Sequence, residues 1–363
     1  MTQANSLATV SRGRDNNLNL LRLLAAIAVV YGHAFGTVGA TATEPFYHLF
    51  GIGTGDIGVD VFFTISGFLI ARSLASKDLV HFAWARVMRI YPALWVSGVV
   101  LVAVAGLAFS PLPAREFWLR HDTLDYLLRN ATMLPGIGCQ TRLPFAFATT
   151  TVEFNASLWT LPHELQMYLL LALLGICGGL RWPAVFAVVA LTGAVAFASD
   201  VLGIAHLMNV ERARFVYFFF TGATCYGLRD RVTMTAGVAL ACVAAVLLSG
   251  WLTADHALHR LVLAAAVPYA ALWFGFVPGG AVRRFNEVGD YSYGTYILAG
   301  PVQLLLARRF GVSMPLENFA AALLIALPAA ALSWHFLESR ALSLQPPAWL
   351  GRLGGSGATA RDR

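Results

Sequence analysis

Apolar stretches of about twenty residues follow one another along this chain, separated by short polar links, and that pattern limits the possible fold more than any other feature. Such a stretch crosses a bilayer as a helix, because within hydrocarbon every backbone N–H and C=O must find its partner inside the protein. The stretches read as spans at 18–35, 58–74, 92–110, 158–175, 182–198, 215–228, 235–251, 260–277, 291–307 and 318–336. The expected fold is therefore all-α, a polytopic membrane helical bundle of about ten transmembrane helices. The long link 111–157 leaves room for a partial helix near Tyr126. Residues 1–340 read as one integral membrane domain, and 341–363, rich in Gly, Ser and Ala toward its end, as a disordered cytoplasmic tail.

Composition excludes the soluble alternatives. Hydrophobic residues make up 58% and charged residues 12% of the chain, against roughly 25% charged in a soluble domain. A formal charge of +6 does not point to nucleic acid, since the arginines stand singly or in pairs at helix ends and form no stripe. Membrane topology accounts for them better. With the amino terminus inside, the inner links hold Arg12, Arg14, Lys77, Arg86, Arg89 and Arg181, while Arg212, Arg214 and Arg260 fall in outer links. Both termini are then cytoplasmic. Arg12, Arg14 and the small residues near Thr41 imitate a secretory signal, but the first apolar run is long enough to span and carries both Arg22 and His33. It reads as a mature helix. Cys139, Cys177, Cys225 and Cys242 are dispersed without metal-site spacing, so no metal is expected.

The residues that carry chemistry are those that do not belong in a membrane, where a charge at the bilayer centre costs about 2.5–3.5 kcal/mol on insertion scales. Arg22 and His33 lie on nearly one face of the first helix and roughly 16 Å apart along its axis. His33 is the best base candidate. The bland alternative has Arg22 snorkelling to the inner headgroups and His33 merely ending a helix beside Gly32 and Gly36.

Arg86 and Arg89 follow the second span at i, i+3, which places two guanidiniums side by side in a geometry suited to phosphate. A positive-inside anchor flanked by Trp84 and Tyr91 explains the same pattern. In Leu158-Trp-Thr-Leu-Pro-His-Glu164-Leu-Gln-Met-Tyr168, Pro162 suits the first turn of a helix and Glu164 its positive end. Capping is one reading of Glu164. The other has Glu164 and Tyr168, four residues apart, forming a polar wall at the outer mouth of a pocket.

Taken in order, these segments resemble the acyltransferase type 3 family: Leu20-Leu-Arg22 with an apolar run to His33, Gly58-Val-Asp60-Val-Phe-Phe-Thr-Ile-Ser66-Gly-Phe-Leu-Ile70, and Arg86-x-x-Arg89-Ile-Tyr-Pro92. Leu158-Trp159-Thr-Leu-x-x-Glu164-x-x-x-Tyr168, Tyr291-Ser-Tyr-Gly-x-Tyr296-Ile-Leu and Phe336-Leu-Glu338 complete the series. The resemblance covers nearly the whole chain. It implies a membrane-bound O-acyltransferase that moves an acyl group, acetyl first among candidates, from cytoplasmic acyl-CoA to a hydroxyl of an envelope carbohydrate such as O-antigen, exopolysaccharide, capsule or glycolipid. The acyl-CoA is a donor substrate, and no permanent cofactor is implied. His33, Arg86 and Arg89 match residues essential in the family. One departure is Ala299-Gly-Pro301, where many members carry a histidine.

The expected roles follow from the resemblance together with side-chain chemistry. Arg86, Arg89 and Arg22 would hold the coenzyme's phosphates, since fork-shaped cations bind phosphate oxygens well. His33 would deprotonate the sugar hydroxyl or carry the acyl group between two half-reactions, and Glu164 would orient or balance the imidazole. Ser66, Trp159, Tyr168 and Tyr296 are substrate-binding candidates. Asp60 is another, with helix bracing the favoured reading. A transporter or flippase of lipid-linked sugars is the alternative, and it lacks support from matching halves with broken helices. A scaffold subunit has no need of intramembrane charge.

Overall fold

The computed structural model describes residues 5–13, 15–110, 112–133, 154–252 and 255–353. Among these residues the chain is helical except for loops and a short antiparallel bridge pairing Asn5–Ser6 with Thr233–Met234. Ten helices carry the architecture: α1 (Leu18–Thr37), α2 (Thr54–Ser76), α3 (Leu79–Phe109), α4 (Leu161–Ile176), α5 (Pro183–Val201), α6 (Val210–Gly227), α7 (Ala236–Leu252), α8 (His256–Phe276), α9 (Ser292–Arg309) and α10 (Pro315–Ser333). The expected segment containing Cys139 and Arg142, and the last ten residues of the expected tail, lie outside the described residues.

Among the described residues six helices are long and apolar enough to cross a bilayer: α1, α2, α3, α5, α8, and α10 with its continuation to Ser343. The expectation was about ten. Helices α4 and α7 have only 16 and 17 residues. Helix α6 opens with Glu211, Arg212 and Arg214, and α9 closes with Arg308 and Arg309. Outward surfaces agree with a lipid solvent, because Leu107, Leu324 and Trp251 are 89, 78 and 83% exposed. Large apolar side chains turned outward in such number mark a multi-pass membrane protein.

Local sequence explains where the site-bearing helices begin and bend. Asp78 caps α3 by accepting the His81 amide at 2.9 Å. Pro92 then sits inside that helix, which continues to Phe109 although proline cannot donate a backbone hydrogen bond. The span expected to start at residue 92 is thus the second half of a 31-residue helix, and Arg86 and Arg89 belong to that same rod. Pro162 occupies the first turn of α4, and a π-helical turn at Trp334–Glu338 interrupts the last helix. Such a turn adds a residue to the helical repeat and redirects the side chains around it.

The centre of the bundle depends on close backbone approach between α2 and α6. A Cβ on Gly67 would overlap the Phe219 carbonyl oxygen, and one on Gly222 would overlap the Thr64 carbonyl oxygen. In lipid, helices associate through such small-residue contacts because apolar surface gains little by leaving a solvent that is itself apolar. Phe63 and Phe215 stack beside this crossing with centroids 4.2 Å apart and planes 3° from parallel.

The same crossing reassigns Arg214. Expected in an outer link, it lies inside α6 and is 2% exposed. Its Nε donates to Asp60 Oδ1 at 2.8 Å, and its Nη1 lies 3.2 Å from Asp56 Oδ1 and 3.1 Å from Glu211 Oε2. A buried guanidinium persists only with such partners. Asp60 therefore ties α2 to α6.

Candidate active site

A cavity of about 370 Å³ lies among α1, α2, α3, α4, α9 and the π-turn of α10. Its polar lining includes Arg22, Arg86, Arg89, Glu164, Tyr168 and Asp290. Three separate helices thus bring Arg22, Arg86, Arg89 and Glu164, the intramembrane charges identified in the sequence, into one space, together with Ser66 and Tyr296.

The three arginines are not equivalent. Asp290, in the turn before α9, places Oδ2 3.1 Å from Arg22 Nη1 and 2.6 Å from Arg89 Nη2. Its other oxygen accepts from the Ser292 amide and hydroxyl. Burial raises the Asp290 carboxyl, but the Arg89 and Arg22 guanidiniums, helped by Ser292, reverse that and hold it below the ordinary carboxylate range. A second carboxylate, Glu338 Oε2 in the π-turn, lies 3.6 Å from Arg89 Nη1. Arg89 is consequently neutralised by two acids.

Arg86 has no such partner among the described residues. Its guanidinium sits 6.0 Å from the centroid of the Tyr168 ring, and its Nε is buried without a hydrogen-bond partner among the described residues. The Tyr168 hydroxyl donates to Glu164 Oε1 across one turn of α4. Arg86 is the cation in this cavity whose donors are left for a ligand.

His33 is elsewhere. It lines a separate pocket of about 170 Å³ with Glu44, Tyr47, Asp56, Trp159 and Tyr296. Val59 and Tyr296 line both spaces and so form a shared wall. Tyr296 is held in that wall by a 2.6 Å hydrogen bond between its hydroxyl and Thr160 Oγ1. Residue 160 faces the large cavity while its neighbour Trp159 faces the His33 pocket.

The expected partnership of Glu164 with His33 is not found. Glu164 is committed to Tyr168 in the larger cavity, on the far side of the Val59–Tyr296 wall. The polar wall of Glu164 and Tyr168, expected at an outer mouth, instead faces the arginines. Asp56 and Glu44 are the carboxylates that line the pocket with His33. Asp60 lines neither space.

Sequence reasoning missed Asp290, Asp56 and Glu44, all of which lie in or beside loops. Asp290 did carry a signal, standing directly before the Tyr291-Ser292-Tyr293 segment. Glu44 caps the short helix Pro45–Phe50, accepting from the Tyr47 amide, and reads from sequence as a capping acid only. Among the described residues no group of His, Cys, Asp and Glu could hold a metal ion.

With this geometry in place, similarity to known proteins becomes informative. A family model described as acyltransferase domain matches residues 15–336. An O-acetyl transferase of Shigella phage Sf6 is 26% identical over 352 residues, covering 92% of this chain and 98% of that protein. Nodulation protein 10 of Rhizobium leguminosarum bv. viciae is 31% identical over 176 residues, 45% of each chain. Acyltransferase MdmB of Streptomyces mycarofaciens is 31% identical over 163 residues, 42% of this chain and 37% of that protein. No solved structure matches.

Proposed function

This chain belongs to the acyltransferase domain family, and from that membership we propose that it transfers an acyl group, acetyl first, from cytoplasmic acyl-CoA to a hydroxyl of an envelope carbohydrate. The observation that carries the proposal is the pair of pockets meeting at Val59 and Tyr296, one containing the uncommitted Arg86 and the other His33. The near full-length similarity to a phage O-acetyl transferase supports acetyl and oxygen as donor group and acceptor atom.

In this reading the larger cavity receives the donor. Arg86 binds a phosphate of the coenzyme through its free donors, because a charge-assisted fork is the strongest contact this cavity offers an anion. Arg22 and Arg89, already paired with Asp290, shape the positive field and hold α1, α3 and α9 in place. The thioester reaches Val59 and Tyr296, where the two pockets meet, and displacement of the Tyr296 side chain brings its carbonyl carbon to the sugar hydroxyl beside His33. An imidazole nitrogen takes the hydroxyl proton while the oxygen attacks the thioester carbonyl carbon. A C–O bond forms, the C–S bond breaks, and the proton passes from the imidazolium to the departing coenzyme thiolate.

The same reading places α4, α6, α7 and α9 in the membrane beside the six longer spans, giving ten crossings with both termini on the cytoplasmic side of a bacterial inner membrane. Buried pairing of Arg214 supports membrane placement of α6, since its charge is covered inside the bundle.

The test is purified full-length protein in liposomes, supplied with acetyl-CoA labelled in the acetyl group. Label appearing on host envelope glycan, and its loss from glycans of a deletion strain weighed by mass spectrometry, is the expected result. Protein that neither binds nor cleaves acyl-CoA but carries a lipid-linked sugar across the liposome bilayer overturns the proposal.

A further inference from the structure

The His33 pocket has a charge balance opposite to that of the donor cavity. Among the described residues its lining contains the carboxylates Glu44 and Asp56 and no lysine or arginine. Glu44 is 2% exposed and is satisfied entirely by uncharged donors: the Tyr47 amide, the Thr54 amide at 3.3 Å and the Thr54 hydroxyl. Hydrogen bonds of that kind hold the carboxylate in place without cancelling its charge.

Asp56 does have a cationic partner, but a shared one. Arg214 divides its single charge among Asp56, Asp60 and Glu211. Behind the pocket wall, then, Asp56 shares one guanidinium with two other acidic side chains, and Glu44 has no cationic partner among the described residues. In a space shielded by the bundle, charges interact far more strongly than in water. Two carboxylates, with His33 the one titratable base beside them among the described lining residues, give the pocket its acidic character.

The remaining lining is aromatic and hydroxylic: Trp159, Tyr47, Tyr296 and Thr41. Flat rings beside carboxylates fit a sugar ring, with C–H faces against the aromatics and hydroxyls donating to the acids. Asp56 is positioned for this, because its side chain is 42% exposed even while bonded to Arg214. At about 170 Å³ the pocket is smaller than a drug-sized ligand site and has room for about one sugar unit within its walls.

We propose that the His33 pocket is the acceptor site and that its uncompensated carboxylates select an uncharged sugar over an anionic one. This rests on the acyl-transfer reading above and adds the class of acceptor to it. A uronic acid or a phosphorylated sugar would bring a like charge toward Glu44 and Asp56, an arrangement that interfaces use to reject wrong partners.

The experiment uses full-length protein in native membranes with acetyl-CoA and two matched pairs of probes: octyl glucoside with octyl glucuronide, and octyl galactoside with octyl galacturonide. The wild type is expected to favour the neutral member of at least one pair by about tenfold or more in kcat/KM. Glu44→Gln and Asp56→Asn are each expected to move that ratio toward the acid by about threefold or more. The ratio is read within one preparation, so loss of folded protein in a variant cancels. Equal use of neutral and acidic probes by the wild type, or a ratio unmoved in both variants, overturns the selectivity and leaves acyl transfer standing. Transfer to none of the four probes overturns the acyl-transfer reading and the selectivity with it.

Discussion

Asp290 and Arg89 stand 201 residues apart in the chain and 2.6 Å apart in the fold, with Arg22 reaching the same carboxylate oxygen from α1 at 3.1 Å. One acid thereby fastens α1, α3 and the start of α9 around the donor cavity.

That clamp has a defined pH window. The Asp290 carboxyl lies below its ordinary value near 3.8, so the stability it contributes is complete above that value and is lost as pH falls through its lowered folded-state pKa. The stability difference between wild type and Asp290→Asn, read from unfolding in detergent, is expected to stay constant from about pH 5 to 8 and to shrink only below about pH 4. A difference that changes steadily across pH 5 to 8 would remove Asp290 from this role.

Neighbouring arginines should give different phenotypes. Arg89→Ala leaves the buried Glu338 without its cation and Asp290 with only Arg22, so it is expected to destabilise the protein by about 3 kcal/mol. Arg86→Ala breaks no ion pair among the described residues and should leave the unfolding transition nearly unmoved. Loss of one charge-assisted contact then raises KM for acyl-CoA by roughly 10- to 100-fold. Identical behaviour of the two variants in detergent unfolding and in donor kinetics would refute this division.

His33→Ala removes a ring that, among the described residues, makes no ion pair and belongs to none of the buried apolar clusters. Membrane accumulation should match wild type while transfer falls by about 100-fold or more, the contribution of a positioned base. Quantitative immunoblotting alongside labelled acetyl transfer checks both parts, and activity retained in this variant rules out His33 as the base.

Gly222→Val places a side chain where the Thr64 carbonyl oxygen already lies. Overpacking at a tight crossing typically costs about 1–3 kcal/mol, and here it also pushes Arg214 away from Asp60. Lower yield of folded protein, read by size-exclusion chromatography in detergent, is the expected outcome. A normal elution profile would show that the α2–α6 approach can relax.

The apolar periodicity by itself determined an all-helical membrane protein, and it located the helices that supply much of the larger cavity's lining. It could do so because a bilayer demands long runs of apolar residues, and a charge within such a run is conspicuous wherever it falls. Arg22 and Glu164 were visible for that reason, Arg86 and Arg89 by their i, i+3 spacing and Tyr296 by family resemblance, and they do converge on one cavity. What crosses between helices was not legible. Asp290, Asp56 and Glu44 lie at helix starts or in links, where an acid is ordinary and linear sequence does not reveal its partner. Arg214 fell in an expected outer link because charge near the end of an apolar run reads by default as part of the connecting segment.

Only the tertiary structure decided which arginine is free, and it did so through distance: Asp290 and Glu338 lie beside Arg89 and leave Arg86 uncovered. It also separated His33 from the arginines, because the Val59–Tyr296 wall depends on α2 and α9 meeting across the bundle. Helical spacing fixes where a residue sits along and around its own rod. Which rods touch is set by glycine-sized gaps and buried ion pairs between residues far apart in the chain.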